Sequence, residues 1–234
     1  MRIVIAGAGS VGRSIARELV ANGYEVTMLD NHPSRMEVAS IPQADWVLGD
    51  ACSLDALSKA EIRQADVVVC ATGNDKVNLV ACLLAKTEFG VPKTVARVNN
   101  PKNEWLFDDA WGVDVAVSTP RVMTSLVEEV VSVGIPVHLF RFHTSDTNMY
   151  SLTVPEDSPL IGSPLSTLDL PPSVVLAAVL RDSRPLSPRP DTLLQGLDEL
   201  LILFSSETEA DLEQISTLFA PPPKKSPTPH KRIS

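Results

Sequence analysis

Cysteine is scarce: Cys52, Cys70 and Cys82 are the only three in 234 residues. They form no Cys-x-x-Cys pair and have no histidine partner at metal-ligand spacing, which argues against a zinc site and a disulfide framework. Buried small apolar side chains in a reducing cytosol are expected instead. Basic charge is also in deficit, with 20 Lys and Arg against 29 Asp and Glu and a formal charge of -9. That is the wrong sign for broad attraction to a phosphate backbone or an anionic membrane surface, so nucleic acid is not an expected partner. Long apolar runs are missing: no stretch approaches the roughly 18 residues of a membrane span, and the N-terminus opens on strand residues rather than a basic targeting segment. A cytosolic chain is expected, reaching a membrane only through a partner or a modification.

What is present is ordinary globular composition, 44% hydrophobic and 21% charged, with length for one α/β domain and a smaller second one. Apolar runs at 3–6, 25–29, 46–48, 67–71, 94–98 and 113–117 alternate with helix-compatible segments, including 11–22, a stretch from Pro33, 53–60, and Thr119-Pro120 to about Val131. This alternation signals βαβ units, and six such strands match a Rossmann-type doubly wound parallel sheet. In the last helix Val122, Leu126, Val130 and Val133 share a stripe flanked by Glu128 and Glu129. The stripe suits either a helix covering the sheet or one exchanged at a dimer interface.

At Gly134-Ile135-Pro136 the pattern breaks, which sets the boundary between residues 1–134 and 135–220. Beyond it, strands at 137–142, 150–154, 174–180 and 199–204, a short helix at 164–168 and a helix at 207–219 describe a small α+β domain. Residues 221–234, rich in Pro and Lys, are expected to form a disordered tail.

The loop Gly7-Ala8-Gly9-Ser10-Val11-Gly12 follows the first strand and opens the first helix, the context that gives a glycine-rich loop its meaning. Gly7 permits the tight turn, Gly9 the approach of a pyrophosphate, and Gly12 close helix packing. Phosphates would sit at the helix N-terminus, where free N–H groups and the helix dipole favour negative charge. Asp30, ending the second strand, is placed to accept ribose hydroxyls and to repel a 2′-phosphate, favouring NAD, NADH or an adenine nucleotide over NADP; Arg35 softens that preference. Asp50, in Gly49-Asp50-Ala51, faces either an adenine amino group or the helix opening near Ser53. Ala71-Thr72-Gly73-Asn74-Asp75, with Asn78 one turn on, closes the fourth strand beside the second half of a dinucleotide. Arg97 is open to a phosphate or to Asp75.

A dehydrogenase needs a proton-transfer group beside the nicotinamide. His32 belongs to the adenosine end, His138 and His143 lie at odd spacing in a strand and so on opposite faces, and His230 is in the tail. Tyr24 and Tyr150 lack a lysine four residues later. No catalytic residue and no metal ligand set is assigned, and the nucleotide reads as a signal rather than a reagent. An NAD-dependent oxidoreductase with a small substrate domain is the alternative, and it would have to recruit His138 or Lys76. A DNA-binding redox repressor lacks a helix-turn-helix pattern.

The ordered set of stretches resembles the TrkA/KtrA family of regulator-of-potassium-conductance (RCK) subunits. It comprises the glycine loop, Gly49-Asp50-Ala51, Ala65 to Val69, Ala71 to Asp75 with Asn78, Ala96-Arg97-Val98-Asn99-Asn100-Pro101, Gly112-Val113-Asp114 and Ser118-Thr119-Pro120. Residues 85–98 and 103–107 are similar to actinobacterial members in particular. Asp157 to Leu165 resembles the start of the TrkA C-terminal domain, and Leu194 to Leu200 its Gly-Asp-Glu-Leu turn, here interrupted by Leu197.

The resemblance implies a cytosolic gating subunit of a bacterial potassium uptake system, peripheral to the inner face of the membrane through a potassium-translocating subunit. It also implies a homodimer or larger ring, in some systems with a second TrkA-like chain. Implied ligands are NAD or NADH and ATP or ADP at the Rossmann domain, and cyclic di-AMP at the C-terminal domain in some relatives. Gly7, Gly9, Ser10, Val11, Gly12, Asp30, Asn31, Asp50, Ala51, Thr72, Gly73, Asp75, Asn78 and Arg97 are the implied nucleotide-site residues. Ser10-Val11 stand where some relatives place an arginine that reaches a neighbour's γ-phosphate, leaving the choice of dinucleotide or ATP open. Arg13 is adjacent and is expected to point elsewhere on its helix.

Overall fold

The computed structural model describes residues 1–142, 145, 147–205 and 209–220. The expected tail at 221–234, the first residues of the expected helix at 207–219, and His143 lie outside them. The chain divides into two compact units, Met1–Met123 and Thr124–Ser234.

In the first unit β1 (Arg2–Ala6), β2 (Glu25–Asp30), β3 (Asp45–Leu48), β4 (Val67–Cys70), β5 (Lys93–Val98) and β6 (Val115–Ser118) form one sheet in the order β3-β2-β1-β4-β5-β6. All pairs are parallel, and this is the doubly wound Rossmann order. Successive strand residues point to opposite faces. Val4, Ala6, Val68, Cys70, Ala96 and Val98 join Leu57 and Leu79, from α2 (Leu54–Lys59) and α3 (Asp75–Thr87), in one buried cluster. Ile3, Ile5, Val26, Met28 and Val69 join Ala16 of α1 (Ser10–Ala21) in another. Both sides of the central strands are therefore dry, as a parallel sheet requires.

Two expected helices are corrected. The stretch from Pro33 forms two 3₁₀ turns, Pro33–Arg35 and Val38–Ser40. It contains no buried residue, so no apolar face exists to repay helix nucleation. The expected helix at 164–168 is one 3₁₀ turn, Leu165–Thr167, with Pro164 bridged to Leu193.

The second unit carries an antiparallel sheet in the order β10-β9-β11-β8-β7, from β7 (Val137–Phe142), β8 (Thr147–Thr153), β9 (Val174–Arg181), β10 (Arg184–Leu186) and β11 (Glu199–Phe204). Leu152, Leu200, Ile202 and Phe204 pack with Ile215 and Phe219 of α5 (Glu209–Phe219). Strand β10 is absent from the sequence expectation because Pro185 demotes its run; a proline is tolerated there because β10 is an edge. Asp182 and Ser183, with φ of 49° and 61°, make the two-residue turn into it. The helix α4 (Thr119–Val131) contains the division between the units. Among the described residues no helix is long and apolar enough to cross a membrane.

Candidate functional site

The strand order reverses between β1 and β4, the place where open α/β sheets bind ligands beyond their carboxyl ends. The glycine loop sits there. Gly7, at φ +110°, brings its Cα so close to the β4 end that a Cβ would lie 2.8 Å from the Thr72 nitrogen; a Cβ on Gly12 would lie 1.8 Å from the Gly7 oxygen. Gly9 is the opposite case, with nothing within 4 Å of an added Cβ. Two glycines are thus required by packing, and the middle one faces open space just ahead of α1.

Asp30 is only 5% exposed. Its Oδ2 accepts from the Ala8 N–H at 2.7 Å and its Oδ1 from the His32 N–H at 2.9 Å. The His32 ring Nδ1 lies 3.2 Å from Oδ1 and Arg35 Nη1 3.6 Å from Oδ2. Burial pushes this carboxyl up, but the two N–H donors, Arg35 and His32 outweigh it and hold the group below the ordinary carboxylate range. Asp30 is therefore an ionised post under the loop. Arg13 holds the next peptide of the loop: Nη1 donates to the Ala8 carbonyl at 2.7 Å and lies 3.3 Å from Glu37 Oε1. Arg13 is thus engaged with its own loop and Glu37, its long side chain in the first helical turn folding back towards the N-terminus.

At the β4 end, Asn78 is fully buried. Its Oδ1 accepts from the Thr72 N–H and hydroxyl at 3.0 and 2.6 Å, and its Nδ2 donates to the carbonyls of Thr72 and Arg97 at 3.2 and 2.8 Å. Asp75 accepts from the Asn99 N–H and Nδ2, the Asn100 N–H and the Asn103 Nδ2, all between 2.7 and 3.1 Å. Burial raises its carboxyl, but these donors outweigh it and the net direction is down. Asn78 and Asp75 are thus committed to bracing the turn rather than left open.

Arg97 forms no ion pair with Asp75, and its Nε is buried without a hydrogen-bond partner among the described residues. Asp50 is exposed and accepts from the Cys52 N–H at 2.9 Å, in the turn before α2. Ser10, Asn31 and Gly73 are exposed, Val11 and Thr72 half-buried and Ala51 buried. Asn99, Asn103 and Arg13 help to build this geometry, a role that sequence reasoning did not assign them, although Asn99 and Asn103 fall in stretches that carry the family resemblance. His138 lies in the second unit, its Nε2 3.2 Å from Asn148 Oδ1. Among the described residues no group of three or more His, Cys, Asp or Glu is arranged to hold a metal ion.

Comparison with known proteins identifies the family. Residues 3–119 match the TrkA-N domain family and residues 149–216 the TrkA-C domain family. The chain is 50% identical to the Trk system potassium uptake protein TrkA of Mycobacterium tuberculosis over 92% of its own length and 98% of that protein's. It is 27% identical to a TrkA homolog of Methanothermobacter thermautotrophicus, covering 88% of this chain and 95% of the relative. Against a homolog from Archaeoglobus fulgidus it is 35% identical over 95% of its length, but spans only 50% of that longer protein. Among solved structures, the GsuK channel bound to NAD shares the fold over 95% of this chain and 40% of its own, with a TM-score of 0.64 at 15% identity. By both of its domains and by its near full-length likeness to the mycobacterial protein, the chain belongs to the TrkA family of Trk system potassium uptake proteins.

Proposed function

We propose that this chain is the nucleotide-sensing regulatory subunit of a potassium uptake system, working at the inner face of the membrane on a potassium-translocating partner. The observation that carries the nucleotide reading is the cradle itself: an unobstructed Gly9 ahead of α1, beside Ala8, whose N–H is held by Asp30 and whose carbonyl by Arg13. Phosphates seat at Gly9, Ser10, Val11 and Gly12, where unpaired helix N–H groups point outward. Ribose hydroxyls replace the His32 ring and Arg35 on Asp30, which keeps its bonds to Ala8 and His32. Asn31, Asp50 and Ala51 border the adenine end; Thr72, Gly73 and Arg97 border the second half of a dinucleotide or the far phosphates of ATP, with Asp75 and Asn78 holding that border in place. NAD or NADH fits best, and ADP or ATP uses the same adenosine end.

The role is regulatory rather than catalytic. His138, the histidine an oxidoreductase would recruit, belongs to the sheet of the second unit and is engaged with Asn148. Binding biases an assembly of two or more chains, in which residues 1–134 sense and residues 135–220 add a second regulatory surface, one that takes cyclic di-AMP if it binds this chain. The exposed apolar face of α4 suits the contact between copies.

Titration calorimetry with NAD, NADH, ADP and ATP tests this reading. Asp30→Ala is expected to weaken NADH and ATP alike by about 1 to 3 kcal/mol, the worth of hydrogen bonds to a charged group. Unchanged affinity for both would remove Asp30 from the site; turnover of NADH with a small carbonyl compound would favour the oxidoreductase reading.

A further inference from the structure

The bonds around Asp75 do more than close a turn. Asn99 Nδ2 donates at 3.0 Å to the Thr72 carbonyl as well as to Asp75, so the loops after β4 and β5 are tied into one body. Asn103, the far end of that body, lies inside the 3₁₀ segment Pro101–Leu106. Six residues exceed the usual three or four of such a helix, whose hydrogen-bond geometry is poorer than that of an α-helix and which is therefore the least firmly held link between the two loops and α4. The next residue, Glu104, accepts from Arg121 Nε at 2.8 Å, in the first turn of α4. A continuous set of contacts thus leads from the Thr72 carbonyl to α4, the helix through which the chain leaves its first unit.

We infer that Asn103 and Glu104 couple nucleotide occupancy beside Thr72 to the seating of α4, with the 3₁₀ segment Pro101–Leu106 as the element that changes state. The inference rests on the nucleotide reading above and adds the route by which occupancy is reported. A ligand at Thr72 and Gly73 bears on a turn that cannot shift without moving Asn99 and Asn103. The 3₁₀ segment absorbs the shift, and Glu104 carries Arg121 with it. Such a route has physical content only if a two-state element responds to the ligand. Asn103 and Glu104 are positioning residues here, since neither borders the nucleotide.

Hydrogen exchange of the full chain, with and without saturating NAD or ADP, tests the route. In the unaltered chain, either nucleotide is expected to change exchange in peptides covering 101–107 and 121–131 by about five-fold or more, the lower end of ordinary allosteric coupling. Arg121→Ala is expected to keep calorimetric NAD affinity and to lose the change at 121–131, with Arg121→Lys recovering part of it; Asn103→Ala, which removes a donor to Asp75, is expected to lose the change at 121–131 at saturating NAD, whatever its effect on affinity. NAD binding that leaves 121–131 unchanged in the unaltered chain overturns the coupling, as does an undiminished response in Asn103→Ala. Failure of all four nucleotides to bind, with no protection at residues 7–12, overturns the nucleotide reading and the coupling with it.

Discussion

Leu197 shows what a single residue out of pattern costs. It takes φ 63° with its side chain 59% exposed, while Asp198 beside it is 1% exposed and receives Arg181 through Nε and Nη2 at 2.7 and 2.8 Å. The turn forms despite the inserted leucine because this buried ion pair and the Gln195 N–H at 2.8 Å over-determine it. A left-handed L-residue costs about 1 to 2 kcal/mol, and glycine's extra backbone entropy returns about half of that. Leu197→Gly is therefore expected to raise stability by about 0.5 kcal/mol, read from the urea midpoint; a loss would show that the leucine packs. A second residue-scale expectation concerns acid. Asp114 accepts from Lys86 Nζ at 2.7 Å and from the Thr94 N–H at 2.6 Å. Burial raises its carboxyl, but Lys86 and Thr94 outweigh that and lower it. Between its lowered folded value and the ordinary one, the unfolded chain binds more protons. The stabilisation is therefore whole above about pH 4 and is lost as pH falls further. Asp114→Asn should flatten the decline of urea midpoint with acid below pH 4; an unchanged slope would assign the acid response to other carboxylates.

At the scale of elements, the glycine loop and the six strands were legible because each rests on a local rule: three glycines at fixed offsets, and apolar runs bounded by turn residues. The crossover after Asp30 was not, since Pro33 is as good an opening for an α-helix as for a 3₁₀ turn, and only the lack of a buried face decides between them. The bracing role of Asp75 was equally hidden, because its partners Asn99 and Asn103 come from another loop and carry no periodic signal. The helix α4 was legible as a helix, and its apolar stripe left two uses open, covering the sheet or meeting a second copy. Of its residues only Ser125 is buried, while Leu126, Val127 and Val130 are 53%, 59% and 79% exposed. Such a stripe would be costly to leave wet. Val130→Glu is expected to shift the protein towards monomers in sedimentation velocity without changing its far-ultraviolet dichroism. An unchanged sedimentation coefficient would take α4 out of the contact between copies.

For the whole molecule, the proposed regulation is limited by how much free energy a bound nucleotide can deliver to a partner. A ligand shifts a two-state assembly only by its differential affinity, and a tenfold preference supplies about 1.4 kcal/mol per site. To move an equilibrium from 1:99 to 99:1 takes about 5.5 kcal/mol, so one site per chain would require roughly four chains acting together at that preference. On the proposed reading, with one cradle at the β1–β4 reversal serving both nucleotides, NAD and ADP exclude one another. Calorimetric titration of NAD into protein saturated with ADP is expected to show an apparent affinity weakened in proportion to ADP concentration, with one site per chain. Undiminished NAD binding under ADP saturation would mean a second adenosine site outside Gly7 to Gly12, and the regulatory free energy would then have to be divided between two ligands rather than switched by one.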